Sequence, residues 1–514
     1  MEMNRNKRNW TIAALLLSIF LSSLDQTIVS TALPSIVQKI GGLDVVSWVF
    51  TIYMLASTAI IPVVGKLSAM YGRKRFYIAG LALFTGGSLL CGLATSMTQL
   101  IVFRGIQGLG AGFLMPITFT LIFTIIPQER AGKFQALFMG VYALSSVVGP
   151  TIGSVITEQL NWHWNFFVNI PFGIAAILIM CWSLVESRAD TGKPKVDYAG
   201  ALLLIVTTVI LLLAFKLAGE DYAWGSWEVL LMLLSGALAL VLFIGIELRA
   251  SEAIIPLHLF RNRTIAGVSL ASFVQGMIMY GALLYIPFFI QAGLGGNVKD
   301  AGNALTPMMF SVMVGTVLGT MLMKRLSWRG SVLLASSLMG MSAFLFTTLP
   351  LDVNMWYVRG NTALIGVGIG ILMPNAQTAA TLTAPERYRG VATSMVTFFR
   401  TIGGVLGVSI MAAIVNQHLA TEIQRQASVL QLDSAVLDKL SNAQMLIGST
   451  SLLPDHAAAA LRASLVASIH SGFWLLVIAA ALVLPMGVLM GNERFHASNA
   501  VQSKHSDHLD HSSE

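Results

Sequence analysis

Fourteen stretches of about twenty apolar residues run through this chain, and few of them contain a charge. A helix of that length crosses the roughly 30 Å hydrocarbon layer of a bilayer. No water is available there to pair backbone N–H and C=O groups, so a spanning segment is either a helix or part of a closed barrel. Runs this long read as helices. Their approximate cores are 10–33, 47–65, 77–97, 100–123, 134–157, 164–185, 198–217, 228–247, 265–290, 302–323, 331–350, 356–382, 391–415 and 468–491. The expected fold class is therefore an all-α integral membrane protein with 14 transmembrane helices. A soluble alternative fails on composition. The 514 residues are 55% hydrophobic and 11% charged, against about 25% charged in soluble domains, and single cores stop growing near about 250–300 residues. The opening "MEMNRNKRN" before an apolar run superficially resembles a signal peptide. The run is too long and too many others follow, so it reads as a retained first span.

Lysine and arginine test the count. With an even number of spans both termini share a side. If that side is cytoplasmic, the inner segments include "KLSAMYGRKR", "PQERAGK", "ESRADTGKPK", "RASEAIIPLHLFRNR", "KRLSWRG", "APERYRG" and "NERFH". Most of the 31 basic residues fall in such segments. Lys39, Lys216, Lys299, Arg425, Lys439 and Arg462 lie in or beside outer ones, and Arg104, Arg359 and Arg400 lie within spans. This is the positive-inside bias, alternating loop by loop. The net charge of +7 thus follows from orientation in a cell (plasma or inner) membrane, multi-pass with both termini cytoplasmic, and calls for no nucleic-acid partner.

Enzymatic chemistry finds no support. Cys91 and Cys181 sit in apolar runs without metal-ligand spacing. There is no nucleophile–base cluster and no G-x-x-x-x-G-K-[ST] phosphate loop. No cofactor or metal is expected. The tail holds His496, His505, His508 and His511; weak metal binding and a plain polar tail are both open. So are two readings of the long outer loop 416–466, whose "DSAVLDKLSNAQML" and "PDHAAAALRASLVASIH" have helical apolar spacing: a surface-lying cap, or a connector.

An internal repeat organises the spans. "FRGIQGLGAGFLMPITFTLIFTIIPQERAG" and "VRGNTALIGVGIGILMPNAQTAATLTAPERYRG" align with Gly112–Pro116 on Gly370–Pro374, Pro127 on Pro385, and Glu129–Arg130 on Glu386–Arg387, an offset of 258 residues. Eight spans separate the copies, so the repeats are parallel. Two six-helix bundles with two inserted helices between them follow: 1–185 as the first bundle, 186–250 as the linker with the inserted pair, 251–491 as the second bundle, and 492–514 as a cytoplasmic tail. Paired bundles of this kind are a transporter architecture with a site near the midplane.

Charges inside spans are costly and mark function by default. Asp25 lies about 13 Å below Pro34 along span one, and Arg104 about 9 Å below the start of span four, at 1.5 Å per residue. The two depths bring them within reach. Burial favours the neutral form of a carboxylic acid, and a nearby guanidinium favours the charged form. A group under both influences responds to small movements. A purely structural pair is the alternative. Arg400, mid-span, lines a cavity or bonds to helix carbonyls; Arg359 is near enough to an end to snorkel.

Four motifs then stand out: "LDQTIVSTALPSI"; "GKLSAMYGRKR", with Gly65, Gly72 and Arg73; "RGIQGLGAG"; and "GVYALSSVVGPTIGS", with Gly140, Gly149, Pro150 and Gly153. "WHWNFFVNIPFG" accompanies them. In these the chain resembles the major facilitator superfamily, and within it the fourteen-span drug:proton antiporter branch, over nearly its whole length. The resemblance implies a secondary active transporter that exports amphipathic, often cationic compounds in exchange for protons by alternating access, with Asp25 and Arg104 coupling proton to substrate. The partners implied are protons, small amphipathic substrates and the bilayer. The chain would act as a monomer, with a periplasmic adaptor only in a two-membrane host. It implies a gating role for Gly65, Gly72 and Arg73 at the cytoplasmic face, where holding the loop inside is the simpler reading. It implies a leak-tight bundle interface at Gly140, Gly149, Pro150 and Gly153, where ordinary small-residue packing is the simpler reading. One departure stands: the family's aspartate four residues after Gly65 is Ala69 here. A dedicated exporter of one metabolite, antibiotic or lipid, and a non-transporting membrane sensor, are the competing functions.

Overall fold

The computed structural model describes residues 4–42, 45–46, 48–126, 128–184, 197–218, 222–250, 252–294, 298–323, 325–350, 353–430 and 455–492. Among them there is no strand beyond an isolated bridge between Ala218 and Tyr222. The helices are α1 Arg5–Ile40, α2 Trp48–Tyr71, α3 Arg73–Gly92, α4 Met97–Ile125, α5 Gln128–Gln159, α6 Trp164–Phe167, α7 Asn169–Ser183, α8 Tyr198–Leu217 and α9 Trp227–Glu247. They continue as α10 Arg263–Phe288, α11 Val298–Leu322, α12 Trp328–Phe346, α13 Met355–Thr383, α14 Arg389–Leu430 and α15 Asp455–Leu489. Among the described residues, 13 helical segments are long and apolar enough to cross a membrane, with α6 and α7 running on as one. Helix α5 occupies the remaining expected span, 134–157.

Local chemistry sets several helix starts. A side-chain oxygen relieves one of the unpaired first-turn N–H groups. Asn4 caps α1 through Asn6, Ser96 caps α4 through Gln99, and Ser327 caps α12 through Gly330. Between α2 and α3 the turn is a single residue, Gly72, whose φ of 108° suits glycine and strains other residues. The connection expected as a free loop over 416–466 is different. Helix α14 runs on to Leu430 and α15 starts at Asp455; "DSAVLDKLSNAQML" and the histidine tail lie outside the described residues.

The chain forms two compact units. One comprises Met1–Leu213, Leu233–Ile265 and Gln377–Phe398; the other comprises Ala214–Met232, Ala266–Ala376 and Phe399–Glu514. Their limits cut within α8, α9, α10, α13 and α14 rather than between spans.

Within the first unit, α2 packs on α4, α3 on α4, and α1 on α5 and α7. The α2–α4 crossing rests on Gly108 and Gly112. A Cβ at Gly108 would lie 2.6 Å from the Tyr53 carbonyl oxygen, and one at Gly112 would lie 2.5 Å from that of Ser57. Within the second unit, Gly366 and Gly370 of α13 meet Met308 and Val312 of α11 in the same way, each 2.3 Å from a carbonyl oxygen. Small residues let membrane helices approach to backbone contact. Each glycine pair therefore sets the same crossing in each repeat, 258 residues apart. Pro116 and Pro374, also 258 apart, both lie inside their helices.

Candidate functional site

Asp25 sits in the middle of α1 with no exposed surface, and its hydrogen-bond partners among the described residues are donors. Arg104 Nη1 reaches Oδ2 at 2.5 Å. Gln107 Nε2 donates to Oδ1 at 2.8 Å and Asn169 Nδ2 to the same oxygen at 3.0 Å. The donors are themselves held. Arg104 Nη1 also donates to Gln107 Oε1 at 2.8 Å, and Nε to the Val49 carbonyl at 3.3 Å. The guanidinium lies 4.2 Å from the Tyr53 ring centroid, a cation–π contact. Asn169 Nδ2 also bonds Ser88 Oγ at 2.9 Å, and Ser88 in turn bonds the Phe166 carbonyl at 2.9 Å. Arg104, Gln107, Asn169 and Ser88 are all fully buried.

Five helices build this site: α1 brings the carboxylate, α4 the arginine and glutamine one turn apart, α2 the Val49 carbonyl and Tyr53 ring against the arginine, α3 the serine, and α7 the asparagine. An apolar cluster including Leu24, Ile28, Val49, Leu100, Trp162 and Phe166 covers it. An ionised carboxylate only accepts hydrogen bonds, and Asp25 accepts from three donors on its two oxygens. On the side chains that bond around the carboxylate, Arg104, Gln107, Asn169 and Ser88, two polar atoms have no partner among the described residues, Arg104 Nη2 and Asn169 Oδ1. The site thus holds one buried donor and one buried acceptor in reserve.

Depth along the spans anticipated the meeting of Asp25 with Arg104. It did not anticipate Gln107, Asn169, Ser88 or Tyr53. Gln107 carried a usable signal, since it lies one helical turn from Arg104 on the same face.

The comparisons with known proteins meet this geometry. A family model described as the Major Facilitator Superfamily matches residues 15–408. The chain belongs to the major facilitator superfamily. It is 36% identical over 494 residues to the multidrug transporter protein MdtP of Bacillus subtilis, covering 92% of this chain and 91% of that one. It is 33% identical to multidrug resistance protein 3 of the same organism over 96% and 97% of the two chains. It is 30% identical to the efflux pump FUS6 of Gibberella fujikuroi over 81% and 76%. A crystal structure of a bacterial homologue of the human lysosomal transporter Spinster, inward-facing and unoccupied, aligns at a TM-score of 0.54. It does so with 16% identity over 96% of this chain and 99% of that one, a likeness of fold alone. The chain is a multi-pass membrane transporter of this superfamily, not an enzyme.

As a facilitator protein it carries a second charged cluster, at the α2–α3 end of the first unit. A Cβ at Gly65 would lie 2.0 Å from Ser394 Oγ, so α2 and α14 touch there through a glycine. Arg73 donates to Thr124 Oγ1. Lys74 Nζ bonds the carbonyls of Cys181 and Leu184, each at 2.6 Å. Lys66, almost fully buried, pairs with Glu252 at 2.9 Å, and the other Glu252 oxygen takes Arg387. The Tyr388 ring lies beneath both cations, 5.6 Å from Lys66 Nζ and 5.5 Å from Arg387 Cζ. Ala69, where the superfamily has its aspartate, faces Gly390 instead: a Cβ there would lie 3.5 Å from that of Ala69.

The remaining expected residues are placed as follows. Gly149 is buried against α1, its virtual Cβ 2.0 Å from Thr27 Oγ1. Gly153 is buried and Gly140 half-buried on α5, while the Pro150 side chain lies outside the described residues. Arg400 is buried on α14, with its carbonyl oxygen against Gly276 of α10.

Proposed function

We propose that this transporter exports amphipathic, often cationic compounds in exchange for protons, with Asp25 as the group for which proton and substrate compete. The observation that carries the reading is the buried carboxylate held only by donors. In its ionised state it satisfies Arg104, Gln107 and Asn169 together. Protonation adds an O–H that needs an acceptor, and Asn169 Oδ1 is the buried acceptor without a partner. Turning the Asn169 amide offers that oxygen to the new proton and withdraws one donor. The turn also takes Nδ2 away from Ser88 Oγ, and a buried donor left without a partner costs about 1–3 kcal/mol. Protonation also releases the Arg104 charge from its partner, so the bundle gains or loses a buried ion pair at each proton step. Movement between two access states is biased in this way.

The names of the bacterial relatives, multidrug transporter and multidrug resistance protein, support a broad substrate range over a single cargo. In this reading the Gly65–Gly72–Arg73 turn faces the cytoplasm, and the Lys66–Glu252–Arg387 cluster holds that side closed. The test is accumulation of a panel of cationic and neutral dyes in inverted membrane vesicles under an imposed pH gradient. Wild type should accumulate several dyes, and Asp25→Asn at equal expression none. Gradient-driven transport of every dye by Asp25→Asn would remove Asp25 from the mechanism. Transport of one compound only would favour a dedicated exporter.

A further inference from the structure

The two repeats can be put in register from their helix crossings alone. Gly108 and Gly112 of α4 seat on Tyr53 and Ser57 of α2, as Gly366 and Gly370 of α13 seat on Met308 and Val312 of α11. In that register Arg104 corresponds to Thr362 and Val49 to Ala304. The structure supplies an independent check. Arg104 Nε donates to the Val49 carbonyl at 3.3 Å, and Thr362 Oγ1 donates to the Ala304 carbonyl at 2.9 Å. The same crossing bond is made by a cation in one copy and by a neutral hydroxyl in the other.

The first helices follow suit. Gly149 of α5 seats on Thr27 of α1, and Gly407 of α14 seats on Met277 of α10. Asp25 therefore corresponds to Gln275. Gln275 is fully buried, its Nε2 donates to the Ile369 carbonyl of α13 at 2.8 Å, and its Oε1 has no partner among the described residues. A carboxamide neither takes up nor releases a proton in this pH range.

We propose that Gln275 and Thr362 form an uncharged copy of the Asp25–Arg104 site, and that this substitution limits exchange to one proton per transported cation. The proposal rests on the reading of Asp25 given above. Other ionisable side chains approach α10 from its neighbours. Arg400 of α14 lies beside Gly276, and an arginine keeps its charge. His470 of α15 stacks 6.0 Å from Phe289, fourteen residues and about 20 Å along the helix from Gln275. Tyr280, on α10 itself, packs its ring on Gly404. None of them takes the place of a carboxylate at the Gln275 position.

One proton in and one monovalent cation out moves no net charge. Two protons in would move one, and the final accumulation ratio would then shift about fifty-fold per 100 mV. The experiment uses purified full-length protein in proteoliposomes with ethidium as the monovalent probe. The pH gradient is held fixed and the potential is set by potassium and valinomycin. For wild type we expect the same final ethidium ratio at zero and 100 mV. For Gln275→Glu we expect a ratio that moves with potential towards the fifty-fold limit. A wild-type ratio that shifts several-fold with potential overturns the proposal without needing any variant. So does a transporting Gln275→Glu that stays indifferent to potential. No pH-driven ethidium movement in wild type would instead overturn the reading of Asp25 itself, and this proposal with it.

Discussion

Asp25 and Arg104 cost most where they stand, because each is fully buried and each leaves the other stranded if removed. Breaking a buried pair from one side costs about 3–5 kcal/mol, whereas replacing both partners can be nearly neutral. Arg104→Leu should therefore lower the melting temperature of the purified protein more than the double variant Asp25→Leu with Arg104→Leu does. Equal melting of the two would show that the pair is not coupled. Gln107→Leu removes a donor to the carboxylate and an acceptor for Arg104, and hydrogen bonds to charged groups contribute about 1.5–3 kcal/mol. It should melt earlier than wild type and transport poorly, and unchanged melting would count against the observed bonding. Charged residues in apolar runs announce themselves because their cost is visible in the one-letter sequence. Asn169 and Ser88 do not, since neutral polar residues are common in membrane helices and nothing in the one-letter sequence says which of them face a buried charge.

The elements are spaced by glycines at backbone contact. Gly108→Ala and Gly366→Ala should each destabilise by about 1–3 kcal/mol through overpacking, because each new Cβ would lie within 2.6 Å of a carbonyl oxygen. Gly86→Ala is the control. Nothing lies within 4 Å of its Cβ position, and alanine favours a helix over glycine by about 1 kcal/mol, so it should be neutral or stabilising. Thermal melts in one detergent compare all three. The glycine spacings were readable, but which helix each glycine met was not. Periodicity gives a face and leaves the partner open. The Lys66–Glu252–Arg387 cluster was equally hidden, since it joins three stretches far apart in sequence. Glu252→Gln leaves nearly buried Lys66 without its carboxylate and should reduce export more than expression. Export restored by adding Lys66→Met would show that the unpaired charge is the cause.

At the scale of the whole molecule, span count and repeat were legible because hydropathy over twenty residues and a 258-residue offset are coarse signals that survive local error. The course of the outer connection was not. Helices α14 and α15 continue past the apolar cores through segments polar enough to read as loop. Orientation rests on the distribution of lysine and arginine, and a fluorescent protein fused after Glu514 should mature in the cytoplasm. Labelling of an introduced Cys at Gly225, between α8 and α9, by an impermeant maleimide from outside the cell should succeed, and labelling at Ala69 should fail. The reverse pattern would invert the topology.

If one buried carboxylate serves proton and cation in turn, binding a cationic substrate must release a proton. Purified protein in weakly buffered detergent, loaded with protons at mildly acidic pH, is mixed with a cationic substrate while a soluble pH indicator is followed. Wild type should release about one proton per cation bound, and Asp25→Asn, which cannot hold one at that position, should release none. Binding without release in wild type, or equal release from the variant, would contradict it.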